Sequence, residues 1–140
     1  MTKEIHDYAS VPIRTVEELE DRLSEPSVNL VEFMGRLDGD IAVLGAGGKM
    51  GPSLVKLVSR ALENSKNNRK KKIIAVSRFS SPDIRKDLES YSVDVIPTDL
   101  LDNAQLQNLP DARNIIFMAG QKFGTTGNEH NTWATNWEKL

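Results

Sequence analysis

Apolar residues recur along this chain in two alternating rhythms. Continuous short runs stand in DIAVLG at 40–45, IIAVS at 73–77, VDVIP at 93–97 and NIIFMAG at 114–120. Runs of that kind suit strands whose two faces are both covered. Between them the spacing changes to three and four. Leu54, Val55, Leu57, Val58, Ala61 and Leu62 predict one apolar face of a helix. In SPDIRKDLESY, Ser80 or Ser81 can cap a helix with Pro82 in its first turn, and Ile84 and Leu88 lie four apart. DNAQLQNL predicts a short helix, and NEHNTWATNWEKL the start of another.

The first 40 residues break this alternation. Residues 1–14 show no periodicity and predict an arm. TVEELEDRL predicts a helix with Thr15 as N-cap and Glu18 three residues on, a capping box. SEPSVNLVEFMGRLDGD carries Val28, Val31, Phe33, Met34 and Leu37 in a helical stripe expected to end at Gly35 or Gly39. The chain thus divides into a helical extension, 1–40, and a strand–helix region, 41–140. Four alternations call for an α/β fold, a parallel sheet with helices on both faces.

Composition narrows the function classes. A chain of 140 residues suits one domain, and 39% hydrophobic residues is ordinary for one. The net charge of −2 offers no basic field, so neither nucleic acid nor an anionic membrane is an expected partner. The basic stretch ENSKNNRKKK reads as a solvated turn. No apolar run approaches the roughly 20 residues of a membrane span. MTKEIHDYAS has neither the apolar core nor the cleavage site of a signal peptide, so a cytoplasmic location is expected. Absence of cysteine excludes disulfides, thiolate zinc sites and thiol nucleophiles. His6 and His130 lie far apart with no carboxylate at ligand spacing, so no metal is expected. Trp133 and Trp137, four apart, read as core or interface residues.

The chemistry concentrates in GAGGKMG, which puts Gly45, Gly47, Gly48 and Gly51 between a predicted strand and a predicted helix. Glycine weakens either element by about 0.5–1 kcal/mol relative to alanine, so the cluster requires a physical reason. A strand, a glycine turn and a helix start leave unpaired N–H groups aimed at one spot, which suits an anion. G-x-G-x-x-G fails, because Met50 stands at its last position. Gly45-x-x-Gly48-x-x-Gly51 fits. In that pattern Gly45 makes the turn, Gly48 admits a pyrophosphate to the backbone, and Gly51 lets the helix pack close to the strand.

GAGGKMG after the first strand, VSR ending the second, PTDL after the third and FMAG ending the fourth together resemble one family. Residues 41–140 resemble the N-terminal half of the extended short-chain dehydrogenase/reductases, the NAD(P)-dependent epimerase/dehydratase group. The resemblance implies a Rossmann-like doubly wound sheet in strand order 3-2-1-4, with a nicotinamide dinucleotide as ligand. Gly45, Gly47, Gly48 and Gly51 would hold the pyrophosphate, with Lys49 and Met50 at the loop's helical end. Family members that bind NAD tend to have Asp or Glu at the end of the second strand. Here no acid stands at 76–80, and Ser77 and Arg78 suit a 2′-phosphate, so NADP is favoured over NAD. Asp99 and Leu100 would border the adenine, although Asp99 equally suits the cap of the following helix. Ala119 and Gly120 would lie under the nicotinamide ribose, and Asn136 matches an asparagine of the family's next helix.

The family's proton-exchanging pair, a tyrosine four residues before a lysine, has no match. Tyr8 is followed by Pro12 at that spacing, and Tyr91 by Val95. The expectation is a cofactor-binding half that lacks its catalytic half and does not turn over substrate alone. A second copy is an expected partner, through an exposed sheet edge or the N-terminal extension. Two other readings stay open. GAGGKMG is similar to the G-x-x-G-x-M-G loop of dihydrodipicolinate reductases, though the later strands of that family are not followed by PTDL or FMAG. A non-catalytic dinucleotide-sensing module is the other.

Overall fold

The structure is a computed structural model that describes residues 12–66, 71–120, 127 and 130. Four strands form one parallel sheet in the order β3-β2-β1-β4. They are β1 (Ile41–Leu44), β2 (Ile73–Ser77), β3 (Asp94–Pro97) and β4 (Asn114–Phe117). The helices are α1 (Val16–Leu23), α2 (Val28–Arg36), α3 (Gly51–Glu63), α4 (Pro82–Glu89) and the single turn α5 (Asn103–Leu106). This is an α/β Rossmann-like arrangement with the expected strand order. Central β1 aligns Ile41 with Ile73 of β2 and with Asn114 of β4.

Alternation along the strands divides the core. Ile41, Val43, Ile73 and Ala75 face Val55, Val58, Ala61 and Leu62 of α3, with Leu88 of α4 and Met34 of α2 in the same cluster. Ala42, Ile74 and Val76 point the other way, toward Leu100, Leu109 and Ala112 around α5. Complete burial of a valine or leucine is worth about 1.5–3 kcal/mol, so β1, β2 and α3 carry most of the apolar stabilisation.

Element ends follow local chemistry. Thr15 Oγ1 accepts from the Glu18 amide at 3.1 Å, but the Glu18 carboxylate takes the Arg14 amide at 2.7 Å, so the capping box closes one residue early. α2 runs through Gly35 to Arg36, because the Leu37 amide still reaches the Phe33 carbonyl at 2.9 Å. β3 starts at Asp94 rather than 93, and β4 ends at Phe117, leaving 118–120 as loop. On α3, Leu57 is only half-buried, whereas Lys56 and Ser59 are buried.

The helical extension lies on α3. Both α1 and α2 pack against it. Arg60 of α3 pairs with Asp21, and its guanidinium also donates to the Ser24 hydroxyl at 2.9 Å. The extension meets β4 through residues 38–40, whose carbonyls accept from the Asn114 side chain. The arm up to residue 11, residues 67–70 of the basic turn, and Trp133, Asn136 and Trp137 of the last expected helix lie outside the described residues. No helix among the described residues is long and apolar enough to cross a membrane.

Candidate functional site

Gly45 leaves β1 with φ of +91°, a region that L side chains rarely adopt. Its amide donates to the Val76 carbonyl at 2.8 Å and the Ala46 amide to the same oxygen at 3.1 Å, which ties the turn to β2. A Cβ on Gly45 would stand 2.5 Å from the Ala119 amide nitrogen. One on Gly47 would stand 2.8 Å from Ser77 Oγ, and one on Gly51 only 2.1 Å from the Ala46 carbonyl oxygen. Three of these glycines therefore answer to the protein's own backbone and strand ends. Gly48 differs: its missing Cβ would meet only the Gly45 carbonyl, at 3.3 Å.

The turn occupies some of its amides and leaves others. Gly48 donates to the Gly45 carbonyl and Gly51 to the Gly48 carbonyl, each at 3.1 Å. The amides of Gly47, Lys49 and Met50 have no acceptor among the described residues. No side chain caps α3, so the positive end of its dipole stands uncompensated.

A cleft of about 680 Å³ opens beside this turn, at the carboxyl ends of all four strands. That is the size range of ligand pockets, about 300–1,000 Å³. In a sheet of order 3-2-1-4 the direction of winding reverses between β1 and β4, where open α/β sheets bind ligands. Gly45, Gly47 and Gly48 line the cleft after β1, and Ser77 and Arg78 after β2. Asp99 and Leu100 line it after β3, and Ala119 and Gly120 after β4. Lys49, Met50 and Gly51 do not. Met50 is 72% exposed, and Gly51, the first residue of α3, is buried.

The structure corrects one candidate role. Asp99 does not cap α5; Asp102 does, accepting from the Ala104 amide at 2.9 Å. Asp99 Oδ1 instead accepts from the Leu101 amide at 3.0 Å, and the Asp99 amide donates to Gln105 Oε1 at 2.9 Å. This local turn holds the carboxylate at the rim of the cleft with a second oxygen to spare. Arg78 is exposed and forms no ion pair with any described residue.

Three wall residues were not among the cleft candidates, although Ser81 was one of the two expected caps of its helix. Thr98 is buried and donates its amide to the Ser77 carbonyl at 2.9 Å, which carries the β2–β3 pairing one step past the strands. Ser81 is the N-cap of α4, yet its hydroxyl makes no capping bond. Phe79 has φ of +48°, an outlier for a bulky residue that costs about 1–2 kcal/mol. Its aromatic character was legible, but nothing in the apolar spacing marks a single residue in a four-residue connection.

A second cavity, of about 800 Å³, lies between the extension and the end of α3, bordered by Asp21, Val28, Gly35 and Arg60. It lies on the helical layer, away from the strand ends, and collects none of the candidate residues. No family model matches the chain, and no curated protein or solved structure does either.

Proposed function

We propose that this chain binds a nicotinamide dinucleotide, NADP in preference to NAD, in the cleft at the carboxyl ends of the strands. The observation that carries the proposal is a convergence. Residues chosen from four separate stretches of sequence, after β1, β2, β3 and β4, line one cleft beside three unpartnered amides. The amides of Gly47, Lys49 and Met50 suit a diphosphate at the start of α3, and Gly48 leaves room for it there. Arg78, with Ser77, suits a 2′-phosphate, and no acid at 76–80 competes for the guanidinium. Asp99 and Leu100 border the adenine end, and Ala119 and Gly120 the nicotinamide end.

The bound dinucleotide would supply hydride chemistry. The chain's own residues would bind and orient it. The resemblance to extended short-chain dehydrogenase/reductases favours a parent activity of the epimerase, dehydratase or reductase class. The proton-exchanging Tyr-x-x-x-Lys of that class has no counterpart among these 140 residues, so this proposal assigns the chain cofactor binding only.

Calorimetric titration of wild type and Arg78→Ala with NADPH and NADH tests the reading. Loss of a charge-assisted contact is expected to weaken NADPH by about 1.5–3 kcal/mol, roughly 10- to 150-fold, and to leave NADH nearly unchanged. Failure of wild type to bind either dinucleotide overturns the proposal. Equal weakening of both by Arg78→Ala removes its preference for NADP.

A further inference from the structure

Arg78 can discriminate between two dinucleotides only if its position relative to the glycine turn is held. It sits in a connection of four residues, 78–81, between the last residue of β2 and the first of α4, and all four line the cleft. None of their four side chains hydrogen-bonds to another described residue, and Ser81 does not cap its helix. Arg78 and Ser80 are exposed.

Phe79 is the exception. It is partly buried against the main core cluster, and its ring comes up against Gly47, whose missing Cβ would stand 3.3 Å from Phe79 Cδ1. Its φ of +48° is a conformation that a bulky L residue adopts only where its surroundings over-determine it. Ring burial is the feature present here that can do so. Its neighbours Arg78 and Ser80 are exposed, while the ring is partly buried.

We propose that Phe79 is a positioning residue for dinucleotide selectivity. Wedged between the core and Gly47, it fixes the backbone on which Arg78 stands and so sets that guanidinium against the glycine turn. The inference rests on the cleft reading above, and it assigns to an apolar side chain part of a preference exerted by a charged one.

The test compares NADPH and NADH affinities by calorimetry for wild type, Phe79→Gly, Phe79→Asn and Phe79→Leu, each verified as folded by circular dichroism and thermal melting. Glycine and asparagine tolerate the left-handed conformation but leave the core pocket empty, whereas leucine still fills it. The preference for NADPH, expected at roughly tenfold or more in wild type, should fall to within roughly threefold in Phe79→Gly and Phe79→Asn. Phe79→Leu should retain most of it. In the double variant Arg78→Ala/Phe79→Gly the ratio should fall no further than in Arg78→Ala, since the two residues act on one contact.

A role confined to stability would lower both affinities in parallel and leave the ratio untouched, which overturns the proposal. An unchanged ratio in Phe79→Asn overturns it equally, should the glycine variant not fold. Wild type that binds NADPH and NADH with equal affinity also overturns it, while leaving dinucleotide binding in place. Wild type that binds neither removes the cleft reading and this inference together.

Discussion

The glycines of GAGGKMG separate into two kinds once their surroundings are known. At Gly51 a methyl group would lie 2.1 Å from the Ala46 carbonyl oxygen, a backbone atom that cannot turn aside. Gly51→Ala must therefore push α3 away from the turn, at a cost of about 1–3 kcal/mol or more in urea unfolding. At Gly48 the nearest atom is 3.3 Å away and φ is not left-handed, so Gly48→Ala requires a shift of only a few tenths of an ångström. The loss of unfolded-state freedom offsets that, and stability should change by less than about 1 kcal/mol. Dinucleotide affinity is expected to respond in the opposite pattern, with Gly48→Ala binding NADPH clearly more weakly while folded normally. A Gly48→Ala protein with unaltered affinity would show that no ligand approaches the backbone there. Sequence spacing alone distinguished Gly51 as a packing residue and Gly48 as the open one. It did not reveal that Gly47 makes room for Ser77 and Phe79, because that contact joins strands 30 residues apart in the chain.

Between elements, one charged cluster shows where apolar periodicity stops being informative. Lys56 belongs to the α3 stripe that the sequence marks as polar, yet its side chain is only 7% exposed. Its ammonium lies 3.0 Å from Glu20 of α1 and 2.7 Å from Asp87 of α4, with the Tyr91 ring 5.5 Å below it. The position is inside because α1 and α4 close over it, an arrangement no local pattern contains. Burial alone would lower the Lys56 pKa, but the hydrogen bonds and charges of Asp87 and Glu20 outweigh it and hold the value above the ordinary 10.5. The folded chain thus keeps this proton more tightly than the unfolded one. The associated stability is fully present below about pH 10.5 and fades as pH rises through the folded value. Above about pH 10.5, urea midpoints should fall more steeply for wild type than for Lys56→Met.

The same cluster has a direction to its energetics. Glu20 and Asp87 are about half exposed, so Lys56→Met leaves carboxylates that water can reach, and the expected cost is under about 1 kcal/mol. Glu20→Ala with Asp87→Ala strands a nearly covered ammonium, and about 1–3 kcal/mol should be lost. A larger loss in Lys56→Met than in the double variant would show that the pair attraction, not desolvation, governs this contact. The pairing also explains how a charge-rich α1 with no buried residue is held: through Glu20 and Asp21 rather than through its apolar side chains. Those apolar side chains stay largely in solvent: Val16 and Leu23 are 66% and 54% exposed.

At the scale of the molecule, the parallel sheet was legible in the apolar pattern and strand length was not. Four apolar runs separated by three- and four-residue periodicity leave few alternatives to a parallel sheet, and the order present is the 3-2-1-4 that the family resemblance implied. Ends depend on hydrogen bonds to neighbours, so β4 stops at Phe117 where its pairing with Leu44 stops, although MAG continues the apolar run. The consequence is functional: Met118 still donates its amide to the Leu44 carbonyl at 2.8 Å, and residues 118–120 turn into cleft wall. Each strand is followed by one such wall segment, and a ligand seated among them would bridge four segments at once. Binding of that kind stabilises the domain as a unit by mass action, by about 2.7 kcal/mol at a hundredfold excess over Kd. For a chain of this size each kcal/mol raises Tm by about 2–4 °C. Saturating NADPH is therefore expected to raise Tm by several degrees, with a smaller rise from NADH at equal concentration. The rise should keep growing with the logarithm of concentration beyond Kd, as linkage to a native-state ligand requires. A shift that levels off at low concentration, or none at millimolar NADPH, would mean that the four segments form a cleft without a dinucleotide to fill it.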